Sequence, residues 1–131
     1  FTVCHEMAHQ RGFARENEAN FISFLTCINS NDKYFKYSGY VSALVYCTNA
    51  LYSIDKNMYS SVRENFSEGV NRDLSYLSAF WSQYKGKAAE IGEKNNDKFL
   101  KSTNQPKGVK SYGLVVDLII SYYKHKNILI K

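Results

Sequence analysis

The sequence predicts a mainly α fold. Three observations carry this: a single proline, Pro106, in 131 residues; apolar residues recurring at helical spacing; and little of the strict alternation that marks strands. The composition is globular, 44% apolar and 15% aromatic, with 11 Tyr and 8 Phe. At this length the chain reads as one domain, residues 1–131, able to bury one core.

The elements follow in order. A first helix is expected from about Val3 to Arg11, broken by Gly12, and a second from about Arg15 to Ile28, closed by the polar Asn29–Asp32. The third covers about Tyr37 to Ile54, with Val41, Leu44, Val45 and Leu51 on one stripe. A fourth begins near Met58 or Ser67 and continues through Leu74, Leu77, Phe80 and Trp81 to about Tyr84. A more polar helix is expected over about Gly86 to Leu100. A last one then follows the Pro106–Gly108 turn, with Ser111 as its cap.

No apolar run approaches the roughly 18 residues that cross a bilayer. The chain begins with Phe1 rather than Met, so it is expected to be the C-terminal part of a longer protein, with any signal or anchor upstream. The net charge of +5 is uneven, because ten of the 17 basic residues lie beyond residue 84. A solvated lysine-rich surface accounts for this, and an anionic membrane surface is the sharper alternative. No recognition motif accompanies the charge, so nucleic acid is not an expected partner. Cys4, Cys27 and Cys47 lack CxxC spacing and are odd in number; they read as small buried side chains rather than a zinc–thiolate site.

The chemistry concentrates near the start, in "HEMAH". His5 and His9 are four apart, so on a helix they share a face and can direct two ring nitrogens at one ion. Glu6 lies beside the first histidine, where a carboxylate can reach water held at the metal without binding the metal itself. Two ligands and a general base on one rigid element suit a zinc hydrolase. An ordinary helix can also spell HExxH, and the residues that follow discriminate. Gly12 stands where the metzincin pattern HExxHxxGxxH has its glycine, but Arg15 occupies the third histidine position and cannot ligate zinc.

Glu16 and Glu18 then compete for third ligand. Residues sharing a helical face with Glu16 are Ala19, Asn20, Ser23 and Cys27, all short, which lets two helices approach closely enough for a short carboxylate arm. Glu18 shares its face with Ile22 and Leu25. Glu16 is the better ligand, and Asn20, one turn on, can orient a ligand by hydrogen bonding. Solvent exposure at a helix start is the bland account of Glu16.

With "HEMAH" and "ENEAN" together, the chain resembles a gluzincin-type zincin, whose third ligand is the Glu of an E-x-x-A-[D/N] motif; Glu16, Ala19 and Asn20 match it. The longer string Thr2–Phe21, with "YSGY" at Tyr37–Tyr40 and "GVKSYG" at Gly108–Gly113, resembles a bacterial domain-of-unknown-function family of predicted membrane-anchored metallopeptidases over nearly the whole chain. The interval of seven between His9 and Glu16 is shorter than in many gluzincins.

The resemblance implies a zinc-dependent peptidase acting on peptide or protein. It would be tethered to a membrane through upstream segments, with the extracytoplasmic side favoured. His5, His9 and Glu16 would hold Zn2+, and Glu6 would serve as the base. An upstream edge strand would bind substrate. Tyr112, Tyr37, Tyr40 and His125 are candidate oxyanion donors. The alternative is a catalytically inactive helical module that binds metal or a protein partner.

Overall fold

A computed structural model describes residues 1–83 and 112–126. Six helices and no strand occur among the described residues: α1 (Thr2–Gln10), α2 (Glu16–Asn29), α3 (Lys33–Ile54), α4 (Lys56–Glu64), α5 (Glu68–Ser82) and α6 (Tyr112–His125). The mainly α expectation holds. None of these helices is long and apolar enough to cross a membrane. The helix expected over Gly86–Leu100, the Pro106–Gly108 turn and the Ser111 cap lie outside the described residues.

Two boundaries differ from the sequence expectation, both because of caps. α3 starts at Lys33 rather than Tyr37, since the Asp32 carboxylate accepts from the amides of Tyr34 (2.7 Å) and Phe35 (3.0 Å). The fourth expected helix is two. Asp55 caps α4 by accepting from the amides of Asn57 and Met58, both at 2.9 Å, and Ser67 caps α5 through the amide of Val70.

The chain forms two compact units, one of Phe1–Ile54 with Lys110–Lys131 and one of Asp55–Val109. In the first, α2 is central and packs on α1, α3 and α6, while α3 also packs on α6. Phe24, Ala43, Val115 and Ile119 form its buried core. The Phe24 ring meets Tyr122, Tyr123 and Tyr40 at centroid distances of 6.2, 6.3 and 6.5 Å, aromatic pairs worth about 0.5–1.5 kcal/mol each beyond their burial. Burial pushes the thiol of Cys47 up from its ordinary value. The hydroxyl of Tyr123 is raised by burial first, then by the neighbouring Tyr40, Tyr122 and Cys47.

Short residues set how closely the helices of this unit approach. Cys4 and Ala8 on α1 and Ala19, Ser23 and Cys27 on α2 are all buried. Where α3 crosses α2, a Cβ at Gly39 would stand 2.6 Å from the Cβ of Cys27, so only glycine fits. In the second unit, the Arg63 guanidinium lies 4.9 Å over the Phe66 ring, and Tyr76 and Trp81 on α5 are exposed.

Candidate metal centre

α1 ends in a turn that organises the site. Gly12 takes φ +97°, a left-handed conformation that L side chains adopt only under strain. With Gly12 so placed, the amide of Phe13 donates to Ala8 O (3.2 Å) and that of Gly12 to His9 O (3.0 Å), the paired bonds of a Schellman motif. The chain reverses, and the Phe13 carbonyl arrives 2.7 Å from Nδ1 of His9. A carbonyl only accepts, so Nδ1 carries a proton, and in the neutral ring Nε2 keeps its lone pair.

The same turn delivers Glu16 at the start of α2. Its Oε2 lies 3.4 Å from His5 Nε2, its Oε1 3.4 Å from His9 Nε2, and the two Nε2 atoms are 3.1 Å apart. Among the described residues these three form a cluster whose donor atoms all lie within 4.8 Å of one another. Two donors bound tetrahedrally at about 2.0–2.1 Å from one ion would be roughly 3.3–3.4 Å apart. The observed separations fit one zinc-sized ion. The chemistry of the set fits too: two imidazole nitrogens and one carboxylate are a donor set that zinc takes. All three side chains are partly buried, with 15–27% of their surface exposed.

Glu18 does not join them. Its carboxylate turns outward to Arg15 Nη1 at 3.2 Å. The face that separates the two glutamates is the one expected: Ala19, Asn20, Ser23 and Cys27 are each 2% exposed or less.

An adjoining cleft of about 330 Å³ is lined by Phe1, Thr2, His5, Glu6, Glu16, Asn20 and Tyr46. Glu6 is exposed on its wall, on the helix that carries the histidines. Tyr37, Tyr40 and His125 are not among the lining residues; Tyr40 instead packs its ring on Phe24, and His125 is exposed near the end of α6. Tyr112 opens α6, and its side chain lies outside the described set.

Tyr46 was not singled out from sequence. Its hydroxyl donates to Asn20 Oδ1 at 3.0 Å, joining α3 to the residue one turn after Glu16. The available signal was spacing: Gly39, Ala43 and Tyr46 recur at helical intervals, with glycine and alanine marking the face α3 turns to α2. Two buried nitrogens here, His5 Nδ1 and Asn20 Nδ2, have no hydrogen-bond partner among the described residues. Each such orphan costs about 1–3 kcal/mol, which marks the site as one not arranged for stability alone.

The fold and the cluster define a helical domain with a HExxH–Glu constellation closed within its first two helices. Residues 1–120 match the family described as "Protein of unknown function (DUF3810)", and the chain belongs to that family. No curated protein and no solved structure matches the chain.

Proposed function

We propose that this chain is the metal-binding part of a zinc-dependent peptidase. The supporting observation is the convergence of His5 Nε2, His9 Nε2 and the Glu16 carboxylate at 3.1–3.4 Å, beside a cleft that Glu6 also lines. Those three side chains would hold Zn2+. When bound, the ion supplies a Lewis acid that polarises a peptide carbonyl and lowers the pKa of water.

The chain's own residues do the rest. The Phe13 carbonyl keeps the proton of His9 on Nδ1, so that its Nε2 is free to ligate. Glu6 would take a proton from water in the cleft at its carboxylate and return it to the leaving amine. Asn20, held by the Tyr46 hydroxyl, braces the helix turn that carries Glu16. Attachment to a membrane through upstream segments belongs to the proposal through the family resemblance alone.

Metal content by mass spectrometry, on protein purified without added zinc, tests the first half. Stoichiometric zinc is expected, and protein free of zinc would leave a helical interaction domain. Casein or peptide-library cleavage by wild type and Glu6→Gln tests the second half. Zinc-loaded wild type that cleaves nothing would make this a non-catalytic metal-binding module.

A further inference from the structure

We propose that Cys4 and Cys27 are a site of covalent modification, a disulfide that cross-links α1 to α2. Their Sγ atoms lie 3.9 Å apart, already in contact. A bonded pair sits at about 2.03–2.05 Å, so the remaining approach of roughly 2 Å is shared between two side chains. Both residues are buried, Cys4 at 8% and Cys27 at 0% exposed, on faces otherwise made of Ala8, Ala19 and Ser23. Those short neighbours hold the helices close. On its other side Cys27 is confined by Gly39, whose missing Cβ is the only reason α3 fits there. All three cysteines are free thiols in this structure, and the proposed bond would pair two of them and leave Cys47.

The oxidant is a small-molecule disulfide of the glutathione class. One protein thiol loses its proton and attacks that disulfide, forming a mixed disulfide and releasing one small thiol, which takes up the proton. The second protein thiol, losing its own proton, attacks the protein-side sulfur and releases the second small thiol. Two protein S–H groups are oxidised and one small disulfide is reduced to two thiols. Because both sulfurs are buried, the exchange belongs to folding, before α1 has closed on α2. The bond would fix the residue beside His5 to the helix that carries Glu16. Its value for ordering the metal ligands rests on the zinc reading, whereas the bond itself does not.

The test is to unfold and reduce the full chain and refold it without metal in a mixture of reduced and oxidised glutathione. Remaining thiols are then alkylated and the peptides mapped by mass spectrometry. The expected product is a Cys4–Cys27 linked peptide with Cys47 alkylated. Its Tm should exceed that of the reduced protein by roughly 5–10 °C, because the link restricts the unfolded chain. Cys4→Ala should lose both the linked peptide and the redox-dependent Tm difference. Three alkylated cysteines, glutathione adducts on Cys4 and Cys27, or a link through Cys47 would each overturn the proposal, as would a cross-link that lowers Tm. Should refolding yield fail, the same map on protein that folded during synthesis in an oxidising compartment, its thiols alkylated at lysis, decides the matter. Protein that forms the link yet takes up no zinc would sink the zinc reading alone.

Discussion

Replacing Gly39 by alanine tests how closely α2 and α3 approach, and hence the frame on which Tyr46 and Asn20 meet. The new methyl would lie 2.6 Å from the Cβ of Cys27, against 3.4–4 Å for ordinary contact, so the helices must separate by about 1 Å. The obstacle is another Cβ, which moves only with its backbone. Overpacking of this kind costs about 1–3 kcal/mol. Against it stands the gain of about 1 kcal/mol from replacing glycine inside a helix. Because the contact is between two Cβ atoms, the upper part of the first range applies, and a net loss of roughly 1–2 kcal/mol is expected.

For a chain of this size that loss corresponds to a fall in Tm of roughly 4–8 °C, read by far-UV circular dichroism. Cys27→Gly in the same background removes the opposing Cβ and should recover more stability than the two single changes predict together. A Gly39→Ala protein with an unchanged or higher Tm would refute the reasoning, since propensity would then be acting with no steric opponent.

Other outcomes follow from the site. His5→Ala, His9→Ala and Glu16→Ala should each lower zinc affinity by about tenfold or more, measured by competition with a chelating dye, and Glu18→Ala should not. Loss of zinc in Glu18→Ala with retention in Glu16→Ala would reverse the ligand assignment. Glu6→Gln should keep its zinc while peptidase turnover falls by roughly two to four orders of magnitude; equal turnover would remove Glu6 as the base. Gly12→Ala meets no atom of the described residues within 4 Å, so its cost is the strain of φ +97°, about 1–2 kcal/mol, seen as a lower Tm without any repacking.

That Glu16 rather than Glu18 lies against the two histidines was legible in the sequence because it depends on local periodicity. Residues three, four, seven and eleven positions after Glu16 are short, and helical geometry alone aligns them. The closeness of His5 and His9 was legible for the same reason. Gly12 was seen as a break, but its role in turning the Phe13 carbonyl onto His9 was not, since that depends on the sign of one backbone angle. The start of α3 was missed because Asp32 was credited with ending α2, when its carboxylate also caps the helix that follows. Tyr46 stayed hidden for a different reason. Its bond to Asn20 joins residues 26 apart in the chain, and no local pattern encodes such a meeting.

That contrast in range has a kinetic consequence. The donors of the cluster all fall between His5 and Glu16, on two helices joined by the tight Gly12 turn, whereas the core needs Val115 and Ile119 from the far end of the chain. Loops of about ten residues close in roughly 10–100 ns, and contacts of low sequence separation form ahead of distant ones. The hairpin of α1 and α2 can therefore assemble its donors before α6 docks. On the zinc reading proposed above, a cation present during refolding would bind a partly folded chain and lower the barrier itself. Zinc added at the start of refolding should then speed the approach to the native state, an effect that zinc added afterwards cannot reproduce.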